Sequence, residues 1–365
     1  MGIMVMSLDL RRRCILDMAK TRFTKYMQSE LSRPVLRDNS PVVLDLFAGC
    51  GGLALGFEAQ GFHTVGIEAN PDAAATYDHN LAGRCLTDFL VVGYDYPVKN
   101  PVAIIGGPPC QPFSVGGLQK GLQDSRDGFP IFLDAVKRLR PRVAIFENVR
   151  GMLYRNRDYL EEILIALREH GYVVEMNLLN AVNYGVPQRR ERLFVVAHLG
   201  GWEWPLPLDT SFTAGEALGE MAYAIPDDAK FLTKSMDAYV AKYEKKSHCI
   251  TPRDLHLDQP SRTVTCRNLH GATGDMQRVR LPDGRRRRLS PREGARLQSF
   301  PDWFHFIGTE GSQFNQIGNA VPPLLAKVIA RSVEACLKAP RLSLAAIKQA
   351  NIPAQPEFNF VGRRG

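Results

Sequence analysis

The chain has 365 residues, 45% hydrophobic content and a formal net charge of +8, enough apolar material for one large domain and a smaller one without covalent staples. No run approaches the roughly 18 apolar residues of a membrane span, and charges break up the short apolar runs near the N-terminus, so a soluble, cytoplasmic protein is expected. The cysteines at 14, 50, 85, 110, 249, 266 and 336 are odd in number and lack CxxC spacing, which argues against a disulfide framework and against a zinc site.

Residues 1–40 form a basic extension with Arg11-Arg12-Arg13 and helix-like apolar spacing at Ile15, Met18, Phe23 and Met27; they suit either a DNA-facing arm or a solvated helical extension. From residue 41, short apolar runs alternate with helical stretches. Buried strands are expected at 42–44, 65–67, 102–105, 143–146 and 193–196, and helices at 129–139 and 158–170, the latter closed by Gly171. This rhythm over 41–199 predicts a doubly wound α/β sheet with its ligand at the strands' carboxyl ends. It disappears over 200–284, where Trp202, Trp204 and several prolines suggest a smaller irregular domain. A hinge segment at 285–310, a helical return at 311–340 and a tail at 341–365 complete the expected organisation.

Three strand ends carry chemistry. The first is Asp45-Leu46-Phe47-Ala48-Gly49-Cys50-Gly51-Gly52-Leu53, whose glycines permit close approach of a ligand to the backbone. It is neither the GxGxxG of a dinucleotide fold nor the GxxxxGK[ST] of a P-loop, and its Phe-x-Gly-x-Gly form resembles the S-adenosylmethionine loop of methyltransferases. Glu68 ends the second strand, where a carboxylate can accept both ribose hydroxyls. The second is Gly106-Gly107-Pro108-Pro109-Cys110-Gln111-Pro112-Phe113-Ser114. A lone cysteine is usually inert packing, as expected for Cys14, Cys85 and Cys336; Cys110 differs because two prolines stiffen its approach at a sheet edge. The Gly-, Gln- and Lys-rich stretch 114–128 has the composition of a mobile lid. The third pairs Glu147, in Phe146-Glu147-Asn148-Val149, with Gln188-Arg189-Arg190-Glu191-Arg192, where Gln188, Arg190 and Arg192 would share one strand face.

Together with 288–301 (RLSPREGARLQSFP) and 316–323 (QIGNAVPP), these segments resemble the cytosine-C5 DNA methyltransferase family over 41 to about 337. Two departures are Gly294, where relatives usually carry Cys, and Thr87, where they usually carry Gly. The resemblance implies an α/β, Rossmann-like S-adenosylmethionine-dependent methyltransferase sheet with a target-recognition domain at 200–284. It implies Cys110 as nucleophile, with Glu147, Arg192 and Arg190 at the target cytosine and Asn148 orienting the Glu147 strand. S-adenosylmethionine would meet Phe47, Gly49, Gly51, Leu53, Glu68, Asp88, Phe89, Pro108, Ile131 and Asn319. Double-stranded DNA would meet Ser114 and Gln119 of the lid, Arg262, Thr263 and Arg267, and Arg287 in the run 285–288, which would neutralise phosphates.

The substrate would be a flipped-out cytosine and the setting a bacterial restriction-modification system, with a monomeric, nucleoid-associated enzyme and a separately acting restriction endonuclease. Two alternatives are a tRNA cytosine methyltransferase of the same family and a DNA-binding regulator. Against them stand the missing Cys-Phe-Thr signature ahead of Arg292 and the lack of a helix-turn-helix pattern in 1–40. Amino-methylating enzymes carry an Asp/Asn/Ser-Pro-Pro-aromatic tetrapeptide instead.

Overall fold

A computed structural model describes residues 21–35, 37–109, 127–246, 253–271 and 274–351. Strands β1 (Val42–Leu46), β2 (His63–Glu68), β3 (Arg84–Thr87), β4 (Ala103–Gly106), β5 (Val143–Val149), β6 (Val173–Asn180) and β8 (Glu191–His198) build one seven-stranded sheet in the order β3-β2-β1-β4-β5-β8-β6. β7 (Gln188–Arg189) pairs outside it with β9 (Ser261–Arg262). The strands from β3 to β5 are mutually parallel, and β8 runs antiparallel to both its neighbours. That reversal sets the N-terminal end of β8 beside the C-terminal end of β5, with Val149 opposite Arg192.

The central strands are apolar throughout because both faces are covered. Val43, Ala103, Ile105, Val143 and Ile145 face one core, shared with α2 (Gly52–Glu58) and α12 (Pro323–Lys338). Leu44, Leu46, Ile104, Ala144 and Phe146 face the other, shared with α4 (Phe129–Leu139) and α6 (Arg157–Glu169). At Gly56 a Cβ would stand 2.4 Å from the Lys327 nitrogen, so the α2–α12 contact is backbone against backbone and admits only glycine. α3 (Pro71–Asn80) and the one-turn α5 (Met152–Arg155) complete the large unit.

The described part of the N-terminal extension is helical, and one face of the helix is packed against the rest of the chain. Phe23 and Met27 of α1 (Arg22–Glu30) are buried, Phe23 meets the Phe212 ring edge-on at 5.2 Å, and Arg22 pairs with Glu216 at 2.7 Å. The helix is thus docked against α7 (Ala214–Leu218). The Arg11-Arg12-Arg13 run lies outside the described residues.

In the smaller region, α8 (Lys234–Lys246), α9 (Cys266–His270) and the hairpin of β10 (Arg278–Arg280) with β11 (Arg286–Arg288) replace the sheet rhythm. The expected boundary at 284/285 falls in that hairpin's turn. Asp254 ties the region together, accepting from Arg278, Arg280 and Arg286 at 2.9–3.0 Å. Arg286 and Arg287 of the run are therefore structural, and the expectation that Arg287 meets phosphate is corrected. Arg287 is 1% exposed and its guanidinium grips Glu293 of α10 (Pro291–Leu297) with two bonds of 2.9 and 2.8 Å. Replacement Arg287→Ala strands a buried carboxylate and is expected to cost about 3–5 kcal/mol. Chemical denaturation should show that loss, while the salt dependence of DNA binding stays unchanged. A reduced salt slope in a stably folded variant would restore the phosphate role.

The rest of the large unit is α11 (Glu310–Asn319), α12 and α13 (Leu344–Ala350). Among the described residues no helix is long and apolar enough to cross a membrane.

Candidate active site

The loop after β1 turns sharply. Phe47 adopts φ 57°, a left-handed conformation costing roughly 1–2 kcal/mol for a side-chain-bearing residue, of the kind found where a fold positions a ligand contact. Its ring joins a cavity of about 860 Å³ at the carboxyl edge of β1, β2 and β4. Of the residues expected to hold the cofactor, Phe47, Gly49, Leu53, Glu68, Asp88, Phe89, Ile131 and Asn319 line this cavity.

Gly51 and Pro108 are not among the lining residues. Gly51 instead ends the loop at φ 85°, where a Cβ would strike Leu81 and Tyr77. Glu68 is oriented by two backbone donors, Gly49 N–H at 2.9 Å and Asn70 N–H at 2.8 Å. Asp88 accepts from the Tyr94 hydroxyl at 2.6 Å and from Phe89 N–H, and the Tyr94 bond lowers its carboxyl below the usual range.

Six carboxylates line the cavity, from Asp45, Glu68, Asp72, Asp88, Asp127 and Glu147, and no Lys, Arg or His does among the described residues. In a chain of net charge +8 this local excess of acid selects a cationic guest and disfavours phosphates. Asp45 was not expected as a site residue. It is buried, its Oδ2 has no partner, and burial, then the neighbouring Glu68, raise its carboxyl well above the ordinary range.

A folded-state pKa raised in this way leaves stability intact below the unfolded value near about 3.9 and erodes it as pH rises towards the folded value. Asp45→Asn is therefore expected to raise Tm by about 2 °C or more at pH 8 and to leave it unchanged at pH 4. Equal melting at both pH values would refute the reading.

The reactive edge adjoins this cavity. Pro108 and Pro109 lead towards Cys110, and both carbonyls are held: Pro108 accepts from Asn148 Nδ2 at 3.1 Å, Pro109 from Gly128 N–H at 3.0 Å. Asn148 thus braces the Pro108–Pro109 segment, a role beyond the strand orientation expected of it. Cys110, Ser114, Gln119 and the lid up to 126 lie outside the described residues.

Glu147 projects from the end of β5 and is paired with Arg192 Nε at 2.8 Å. Burial pushes the Glu147 carboxyl up, against the opposing pull of Arg192 and Arg190. Arg190 lies on the same buried face, as alternation predicted, but its guanidinium donates to the carbonyls of Val264, Gly318 and Ala320 and does not line the cavity. Asp127 was also missed: it accepts from the Tyr159 hydroxyl and from Phe129 N–H, fixing the start of α4. An Asp two residues ahead of an apolar helix was the available signal.

In the smaller region, Thr263 donates to the Arg189 carbonyl at 2.7 Å. Arg262 and the well-exposed Arg267 approach Asp275 at 3.4 and 3.7 Å.

The comparisons with known proteins agree with this fold. The model of the C-5 cytosine-specific DNA methylase family matches residues 42–217 and 213–335. The chain belongs to that family. It is a DNA cytosine-C5 methyltransferase with a Rossmann-like sheet. Type II methyltransferase M.AplI of Arthrospira platensis is 60% identical over 87% of this chain and 92% of its own length. M1.HphI of Haemophilus parahaemolyticus is 33% identical over 83% and 89%. The solved structure of the S. pombe Dnmt2 methyltransferase, at 20% identity, covers 82% of this chain and 100% of its own with a TM-score of 0.61, a likeness of fold. The methyltransferase's family uses S-adenosylmethionine, and the acid-lined cavity suits a sulfonium cation.

Proposed function

We propose that this methyltransferase is the modification enzyme of a type II restriction system, methylating cytosine C5 in a short duplex sequence through attack by Cys110. A restriction endonuclease acts separately on the same sequence, and the methyltransferase works as a monomer. The reading is supported most by one juxtaposition: Glu147 lines the acid-lined cavity, is paired with the buried Arg192, and adjoins Asn148, whose side chain holds the Pro108 carbonyl.

Bound S-adenosylmethionine supplies an electrophilic methyl group. Phe47, Leu53 and Ile131 would offer it apolar contact, Glu68 would offer carboxylate oxygens to the ribose, and Asp88 and Phe89 would meet the adenine. C5 of cytosine is too weak a nucleophile to take the methyl unaided. Addition of the Cys110 thiolate to C6 forms a C–S bond and moves electron density to C5. Glu147 shares its proton with N3 and accepts from the exocyclic amine, while Arg192 donates to O2, so charge built up in the ring is neutralised. C5 takes the methyl, loses its proton to solvent or base, and the C6–S bond breaks to return the thiolate.

Incubation of the enzyme with methyl-labelled cofactor should label duplex DNA at cytosine C5 and leave tRNA unlabelled. No incorporation into mixed-sequence duplex would overturn the assignment. Preferential labelling of tRNA would favour the RNA branch.

A further inference from the structure

Residues 261–265 connect β9 to the N-cap of α9 and carry Arg262 and Thr263, which the family resemblance turns towards DNA. The Val264 peptide in this segment is held at both ends. Its carbonyl accepts from Arg190 Nη1 at 2.6 Å, and its N–H donates to Gln188 Oε1 at 2.7 Å. The other terminal nitrogen of Arg190 donates to the carbonyls of Gly318 and Ala320 at 3.2 and 3.0 Å. These flank Asn319, and Asn319 and Ala320 line the cofactor cavity.

Gln298 closes the same circuit, accepting from Gln188 at 2.9 Å and donating to the Ile317 carbonyl at 2.6 Å. There is no slack between the two walls, because a Cβ at Gly318 would lie 2.0 Å from the Cys266 nitrogen. Arg190 itself is 1% exposed, so water does not compete for these bonds.

We propose that Arg190 is a positioning residue that locks the DNA-reading segment 261–265 to the wall of the cofactor cavity, so that filling either site strengthens binding at the other. The guanidinium fork presents nitrogens to two different backbones at once, which a point-like ammonium cannot do. Movement of one wall without the other would strand carbonyls in a dry interior without a partner, which is unfavourable. The walls therefore shift together, and the resulting coupling is reciprocal. In the proposed function Arg192, paired through Nε with Glu147, is the cation that meets the base.

The inference rests on residues 261–265 facing DNA. Its test is calorimetric binding of S-adenosylhomocysteine to the full chain, with and without a duplex carrying the site mapped from wild-type methylation. The wild type should bind about fivefold or more tightly when the duplex is present. Arg190→Lys keeps the charge and should lose that gain, its ratio falling towards one. At saturating cofactor and duplex, kcat of Arg190→Lys should drop less than about tenfold, whereas Arg192→Lys should drop by far more.

Gln298→Leu, which weakens the circuit without touching Arg190, should lower the ratio too and serves if Arg190→Lys does not fold. A wild type without enhancement, or either variant with the wild-type ratio, overturns the proposal. A collapse of kcat at saturation in Arg190→Lys with the ratio intact would make Arg190 catalytic instead. Failure of the wild type to methylate duplex DNA is a separate result and would sink the proposed function, not the coupling.

Discussion

Replacing Cys110 with Ala is expected to reduce methyl transfer by on the order of 10⁴-fold or more, because no other group can add to C6 and activate C5. Binding of S-adenosylhomocysteine should change little, since the acid-lined cavity is built from β1, β2, β4 and α11 and keeps its lining. Cys110→Ser should be nearly as inactive, a hydroxyl being far harder to ionise than a thiol. The check is labelled-methyl incorporation alongside calorimetry on the same preparations. Transfer persisting in the Ala variant would move the nucleophile elsewhere, and Cys50 is a poor substitute. It lines the cavity, but burial pushes its thiol up to about 12, so almost none is thiolate at neutral pH.

The second large effect is expected at Glu147. Glu147→Gln preserves shape and should lower kcat by about 10²–10⁴-fold through loss of the proton shared with the base. The sign of the pH effect follows from the direction of the shift. Burial raises this carboxyl, so its proton is lost above the ordinary carboxylate range, and the rate it supports declines as pH rises through that value. Formation of the Cys110 thiolate works in the opposite sense. The wild-type profile should therefore have two limbs, and Glu147→Gln should flatten the alkaline one. A variant that keeps this limb would assign it to another group. Because Glu147 and Arg192 form one buried pair at 2.8 Å, Arg192→Met should be strongly non-additive with it.

The parts legible in the sequence were those set by local pattern. Continuous apolar runs located β1, β2, β4, β5 and β8, since strands covered on both faces leave that signature. Helix 129–139 was found with its bounds intact because its apolar face is strongly periodic. β3 and β6 were missed. β3 has only four residues, and β6 lies at the sheet edge with mostly half-buried side chains, so neither alternates cleanly.

Arg287 was misjudged for a different reason. A run of arginines reads as a solvated or phosphate-binding surface, yet in β11 successive side chains point to opposite faces, and Arg287 faces inward to Glu293. Arg190 shows the same limit: alternation correctly placed it beside Arg192, but its partners, Val264, Gly318 and Ala320, come from 74 to 130 residues downstream. No local pattern announces such partners. Asp45 was visible only as part of a motif, and its isolation inside the cavity is a property of the folded state alone.

The absence of basic side chains among the described lining of the cofactor cavity also gives the reaction a direction. Moving a methyl group from a sulfonium to carbon turns a cationic donor into a neutral thioether. The charged carboxylates among the six attract the first and are indifferent to the second. Turnover itself thus discharges the guest, and spent donor is expected to be held less firmly than fresh donor by the same walls.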